Sequence, residues 1–318
     1  MSLLPVARAS DLAEIPVERR WLIEQLWSEQ AVGIVGGEPK CCKSFLALDL
    51  AVSVASGAPA LRRFAVARPG RVLLFAAEDA LHVVRERIAG IASACGVGIE
   101  SLDLHVITAP TLRLDLRDDA ARLDETVAAL RPRLLVLDPF VRLHRIDENA
   151  SADVAPLLAS LRELQRKHGT AVLLVHHSRK GSAASRPGQA LRGSSELHAW
   201  GDSNLYLRRN GERLTLSVEH RAAPAMADLA LGLRAEGDHL ALEIVGSHAT
   251  IEAASPLPAL PDRICSALAV APHAMSLDDL RAACRVRKSA VCAALADLAR
   301  AGTVARLDGG YVLADPRA

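Results

Sequence analysis

The chain has 318 residues, half of them hydrophobic, and 38 Lys and Arg against 37 Asp and Glu leave a formal net charge of +1 at pH 7. That length suggests about two domains, or one core with a small appendage, and near-neutrality confines any nucleic-acid contact to local patches rather than a global field. No apolar run approaches the ~20 residues of a membrane span, Met1 to Pro5 open no secretory signal pattern, and the six cysteines form no C-x-x-C pair, which argues against zinc and for a reduced, cytoplasmic chain.

In chain order, residues 1–27 read as a leader with one helix over about 17–27. Trp21 and Trp27 there either fill the core or stack on a nucleotide base. Ala31-Val32-Gly33-Ile34-Val35 follows as a buried strand, and the apolar stretch from Phe45 reads as a helix stopped at Gly57-Ala58-Pro59. Between them stands Gly37-Glu38-Pro39-Lys40-Cys41-Cys42-Lys43-Ser44. Strand, Gly-rich turn and helix in that order form the context of a phosphate-binding loop. Its backbone N–H groups, with those of Ser44 and Phe45 at the helix start, point at an anion. Lys43 then lies on the β- and γ-phosphates of ATP, and the Ser44 hydroxyl on Mg²⁺. The usual pattern is G-x-x-x-x-G-K-[S/T], and Cys42 stands where the second glycine belongs. The plain alternative is a strand-to-helix turn that happens to carry Lys-Ser.

Two more continuous apolar runs end in carboxylates. Arg71 to Ala77 ends in Glu78-Asp79, and Arg133 to Leu137 ends in Asp138. Runs without alternation belong to strands buried on both faces of a parallel sheet, whose carboxyl ends carry the ligands. Glu78 is there a candidate base for an attacking water, or else a helix-start residue favoured by the dipole. Asp138 completes a Walker B pattern and joins Ser44 as a candidate metal ligand. A third run, Ala171 to Val175, ends in His176-His177-Ser178. Polar tips on such a strand suit a γ-phosphate sensor, for which His177 is the candidate; one of the two imidazoles is alternatively a core histidine.

Ser178 to Leu191 has no hydrophobic period and reads as a long loop. Its Arg179, Lys180 and Arg186, with Arg192 just beyond, suit a nucleic-acid backbone, or belong to a solvated surface loop. From Gly201 the period switches to two, with Asn210-Gly211 as a hairpin turn, so antiparallel strands extend the sheet to about residue 245. Residues 253–260 are a linker by composition. Residues 261–318 show three helical patterns and an Asp308-Gly309 hairpin, which together resemble a winged helix. Ser276 and Asp279 form a capping device on its second helix. Arg285, Arg287 and Lys288 open the third, where recognition helices meet the DNA major groove; a protein-docking winged helix is the alternative.

Over roughly residues 28–245 the ordered motifs resemble the RecA-like ATPases, and more narrowly the plasmid RepA type of hexameric replicative helicase. Glu38-Pro39-Lys40 ahead of Lys43-Ser44, Ala77-Glu78-Asp79, His176 to Gly181 and Arg192-Gly193-Ser194-Ser195 carry the resemblance. It implies an α/β fold, with a RecA-like P-loop NTPase core over 28–252 (mainly parallel sheet with an antiparallel extension) and the winged helix behind it. It further implies Mg²⁺-dependent ATP hydrolysis, a homo-oligomer arranged as a hexameric ring or head-to-tail filament, single-stranded DNA at the core and duplex DNA at the winged helix. No membrane role follows. Val218 to Pro224 lies where such helicases carry a basic residue before Gly-Pro, which makes Arg221 the candidate arginine finger. Glu219 departs from the basic residue common there, and Cys42 from the glycine. Two other readings stay open: a DNA-binding ATP switch or recombinase-like filament with slow turnover, and an interaction module with a vestigial site.

Overall fold

In the computed structural model the apolar runs become neighbouring strands of one sheet. The structure describes residues 4, 6–12, 14, 16, 19–148, 150–177, 195–211, 213–224, 226–236, 239–245, 260–271, 273–284, 288–307 and 310–314. The chain divides into two compact units, Met1–Gly246 and Ser247–Ala318.

The first unit opens with a hairpin, β1 (Trp21–Ile23) and β2 (Trp27–Ser28), then β3 (Val32–Gly37), α1 (Lys43–Ser56), β4 (Val72–Ala76), α2 (Leu81–Ala94) and β5 (Leu104–Val106). Next come α3 (Arg117–Leu130), β6 (Leu134–Asp138), α4 (Ser151–His168), β7 (Ala171–His177), α5 (Ser195–Trp200) and β8 (Ser203–Asn210). β9 (Arg213–His220), β10 (Leu229–Glu236) and β11 (His239–Ile244) finish it. Among the described residues the main sheet has nine strands in the order β11-β10-β9-β8-β3-β7-β6-β4-β5. Strands β3 to β8 pair in parallel, and β8 to β11 continue as antiparallel hairpins. That is the expected α/β architecture.

Unbroken apolar runs make sense in this arrangement. Alternate side chains of a strand face opposite ways, and here both ways lead into core. Val72, Leu74, Leu134, Val136, Leu173 and Val175 pack on the side of α1 and α2. Their neighbours Leu73, Phe75, Leu135, Leu137, Val172 and Leu174 pack on the side of α3 and α4. Each such side chain contributes about 1.5–3 kcal/mol on burial, so a polar residue anywhere inside β4, β6 or β7 would be expensive. Polar groups are therefore left to the strand tips. Helix α1 stops at Gly57, whose left-handed φ of 83° lets its N–H close on Ser53 O.

The expected helix over 17–27 is not there. Leu22, Ile23, Leu26 and Trp27 are buried with a spacing that would suit one helix face, yet Gln25 takes a φ of 59° and the chain reverses into β1–β2. Burial decides between the two. The hairpin lets Trp27 enter the core whole, with its Nε1 donating to Ala31 O at 3.3 Å. Trp21 meets the edge of the His220 ring at 4.9 Å, so both tryptophans serve packing.

The second unit holds α6 (Leu260–Val270), α7 (Leu277–Cys284), α8 (Lys288–Arg300) and a hairpin of β12 (Val304–Leu307) and β13 (Gly310–Leu313). Ile264, Leu280, Val291, Leu295 and Val304 form its core. The Asp279 carboxylate accepts from Ser276 N–H and Oγ, and Asp279 N–H donates to Ser276 Oγ at 3.2 Å, a capping box at the start of α7. Tyr311 bridges to Met275 beside the hairpin. Of the expected linker 253–260 only Leu260 lies within the described residues, and it opens α6.

Candidate functional site

The loop after β3 is shaped by two steric facts. Gly37 has room for nothing more than hydrogen, since a Cβ there would lie 2.3 Å from Leu207 O and 2.7 Å from Cys41 Sγ. Lys40 and Cys42 both adopt φ of 64°, and alternation of right- and left-handed residues turns successive N–H groups into one concavity that suits an anion. The left-handed angle at Cys42 explains why a glycine is usual at that position; Cys adopts it with strain. Cys42 is also the N-cap of α1, so the helix N-terminus opens into the same concavity.

Lys43 is buried. Its Nζ donates to Glu38 O at 2.7 Å and lies 3.8 Å from Cys41 Sγ, while the Cys41 thiol donates to the same carbonyl at 2.8 Å. Burial pulls the Lys43 ammonium below its ordinary pKa, opposed by Cys41 and Asp138. Burial pushes the Cys41 thiol up, which keeps it a neutral packing group. Pro39 and Lys40 are exposed at the rim. Phe45, in the first turn of α1, lies under the Arg87 guanidinium at 5.2 Å.

The other candidates occupy neighbouring strand tips. Asp138 ends β6 and is nearly buried; burial lifts its carboxyl to about 6, against the pull of the Ser44 hydroxyl and the Lys43 ammonium. Glu78 follows β4, and the sheet pairs Ala76 with Asp138. Its Oε1 accepts from Arg142 Nε at 2.9 Å, and its Oε2 lies 4.0 Å from His177 Nε2. His177 ends β7 opposite Gly37; burial, then Lys43, holds its imidazole below the usual range. Asp79 pairs instead with Arg87. Loop, Ser44, Asp138, Glu78 and His177 thus share one end of β3, β7, β6 and β4. Hydroxyl and carboxylate oxygens are the hard donors that Mg²⁺ takes, and the nest with a buried ammonium fits a polyphosphate.

Arg221 is elsewhere. It follows β9, whose His220 pairs with Ser203 at the start of β8, and its N–H bonds Asp202 O at 2.9 Å. Its guanidinium meets Asp202 Oδ1 at 3.3 Å and Ala199 O. Glu219 accepts from His198 Nε2 at 2.9 Å. Arg179, Lys180, Arg186, Arg192, Arg285 and Arg287 lie outside the described residues; Lys288 is the first residue of α8.

Sequence reasoning missed three neighbours of the site. Arg142 comes from the 3-10 turn Phe140–Arg142 behind β6, and nothing in the motifs marks it. Arg209, at the end of β8, donates to Cys42 Sγ at 3.4 Å. His144 is buried against Phe140, ring centres 4.5 Å apart, with Nε2 3.4 Å from Glu148 Oε1. Arg209 reaches the loop through the pairing of β8 with β3, and Arg142 and His144 come from the chain behind β6; neither placement leaves a local signal.

A family model described as AAA domain matches residues 2–183, more than half of the chain. Among solved structures, one ATPase domain aligns with TM-score 0.50 and 12% identity over 64% of this chain and 81% of its own. RadB recombinase aligns with TM-score 0.50 and 19% identity over 69% and 92%. A DnaB-like replicative helicase, solved with its interactions with primase, aligns with TM-score 0.52 and 13% identity over 67% of this chain. This chain spans 57% of that helicase's length. At these identities the likeness is one of fold, the RecA-like P-loop fold.

Proposed function

The chain belongs to the AAA domain family, and from that premise we propose that it is an ATP-hydrolysing motor that assembles from identical subunits and acts on DNA. One observation carries the reading. An anion nest with a buried Lys43, the oxygen pair Ser44 and Asp138, and the Glu78–His177 pair stand on adjacent strand tips. A structural turn would need none of these. ATP supplies the γ-phosphoryl group and Mg²⁺ the charge that neutralises it.

The side chains divide the remaining work. Amides of the nest and Phe45 hold the polyphosphate, and Lys43 exchanges Glu38 O for phosphate oxygens. Ser44 and Asp138 hold the metal; the Asp138 carboxyl, at about 6, is mostly ionised at neutral pH. Glu78 orients a water and takes its proton. His177, close to Glu78, senses the terminal phosphate. Arg221 serves the site of a neighbouring subunit, which favours a hexameric ring or head-to-tail filament. Single-stranded DNA then runs along the segment bearing Arg179, Lys180, Arg186 and Arg192. The second unit, with three helices and a hairpin around one core, supports a winged helix that meets duplex DNA through Arg285, Arg287 and Lys288. The finer reading is a cytoplasmic helicase or translocase of the RepA type, serving a replicon or mobile element.

A second reading has two observations in its favour. The left-handed Cys42 and the Arg142–Glu78 pair would each slow turnover, as in an ATP switch whose nucleotide controls assembly on DNA. ATPase activity with and without single-stranded DNA, beside strand displacement, tests the first reading. Filaments that form with nucleotide but displace no strand would favour the second, and a chain with no ATPase activity at all rejects the motor.

A further inference from the structure

Strand β8 runs parallel beside β3 and reaches the loop at its carboxyl end. Val35, Gly36 and Gly37 pair with Leu205, Tyr206 and Leu207, and the Leu207 carbonyl fills the space beside Gly37. Leu205 and Leu207 face the core that includes Cys41 and Leu46 of α1, whereas Tyr206 faces the opposite core. By the two-residue period, Arg209 projects toward α1. Its Nη2 reaches Cys42 Sγ at 3.4 Å. A guanidinium therefore stands at the N-terminus of α1, next to the loop that carries Lys40 and Lys43.

That placement is unfavourable by itself. A helix N-terminus carries about half a positive charge, and two lysines add to it. Arg62, Arg87 and Arg142 each face a carboxylate. No carboxylate among the described residues pairs with Arg209. Cations gathered on a positive helix end are stabilised when an anion lies between them.

Resting on the motor reading above, we infer that Arg209 is a phosphate-binding residue of the nucleotide site, contributed by the same chain as the loop. Its position at the loop, away from Glu78 and His177, assigns it to phosphates that diphosphate and triphosphate share. It holds nucleotide in both states and takes no part in the hydrolytic step, unlike the finger role given to Arg221. Its contribution is the positive charge at this point, carried by a guanidinium that stays protonated at every working pH.

Calorimetric titration of Mg-ADP and of a non-hydrolysable ATP analogue into the wild type, Arg209→Ala and Arg209→Lys tests it. Arg209→Ala is expected to weaken both ligands alike by about 10-fold, the lower range for a hydrogen bond to a charged group. Arg209→Lys should restore most of the loss, and the affinity of Arg209→Ala should depend less on salt. The same loss should persist in a Cys42→Ala background, where a mere prop for the thiol would no longer matter. Unchanged affinity in Arg209→Ala, a loss that Lys does not restore, or a loss confined to the ATP analogue would each overturn the inference. A wild type that binds neither nucleotide sinks the motor reading as well.

Discussion

Arg142 Nε donates to Glu78 Oε1 at 2.9 Å, so the carboxylate placed to activate a water is already engaged by a cation. The pair is open to solvent, with side chains 61% and 43% exposed. Exposed pairs are worth up to about 1 kcal/mol, which corresponds to roughly a fivefold restraint on rate. Arg142→Ala is therefore expected to raise basal ATP hydrolysis by up to about fivefold and to shrink any stimulation by DNA. Glu78→Gln should leave nucleotide binding intact and slow hydrolysis by about 10²–10⁴-fold. Phosphate-release assays read both, and an unchanged rate in Glu78→Gln would reduce Glu78 to a helix-start residue.

Lys43 is the cation that the fold has taken trouble to bury. It is held between Glu38 O and Asp138 at the cost of a pKa below the ordinary lysine range, a placement that is wasteful unless a stronger anion replaces the carbonyl. Lys43→Ala should abolish MgATP binding or turnover in a titration or a steady-state assay. Normal hydrolysis by that variant would reject the phosphate-loop assignment.

Cys42 sits at φ 64°, a region that costs a non-glycine residue about 1 kcal/mol or more. Glycine removes this strain but gains freedom in the unfolded chain. Cys42→Gly should accordingly stabilise the first unit by about 0.5–1 kcal/mol, with a higher urea midpoint at an unchanged slope. It should also raise nucleotide affinity and lower sensitivity to peroxide. A variant with wild-type midpoint and affinity would show that the loop has adapted fully to Cys.

The four buried strands and their order of polar tips could be read from the sequence because residues buried on both faces permit no polar interruption. Ser276 and Asp279 were legible for a similar reason: capping is a local exchange of hydrogen bonds within four residues. The leader was not. Leu22, Ile23, Leu26 and Trp27 satisfy a helical spacing and a hairpin alike, and only the pocket that receives Trp27 selects the hairpin. The neighbours of the site were hidden more deeply. Arg209 lies 167 residues from Cys42 and Arg142 lies 64 from Glu78, and no window of sequence contains both partners.

Asp49 gives a pH dependence whose sign is fixed. It is fully buried in α1, accepting from Leu61 N–H at 2.6 Å and from Arg62 Nη1 at 3.1 Å. Burial outweighs both partners and lifts its carboxyl from 3.8 to about 6. The folded state thus prefers the protonated form. Its contribution to stability is full below about pH 4 and is lost as pH rises through about 6. Asp49→Asn stays neutral throughout. Its stability relative to the wild type should rise by about 1–3 kcal/mol between pH 4 and 7, read from urea midpoints across that range. Asp138, lifted in the same direction, is common to both proteins and cancels. A constant difference across the range would mean that Asp49 does not titrate there.

Arg221 can reach a nucleotide only across a subunit boundary. Its N–H bonds Asp202 O, and Asp202 N–H bonds Val32 O, so Arg221 stands level with the start of β3. The loop opens beyond Gly37 at the other end of that strand, roughly 17 Å away at 3.3 Å per residue. An arginine side chain does not bridge that span, and the loop of its own chain is out of reach. Within its chain Arg221 is half exposed and pairs with Asp202, a contact worth under ~1 kcal/mol and therefore easily exchanged for phosphate oxygens. Fingers of this kind contribute about 10³–10⁵ in rate. Arg221→Ala subunits and Lys43→Ala subunits should each be nearly inactive alone. Mixed, they should regain hydrolysis at the interfaces where an intact Arg221 faces an intact Lys43. If the two co-assemble and the mixture stays inactive, or if Arg221→Ala alone hydrolyses ATP normally, Arg221 is only a partner for Asp202.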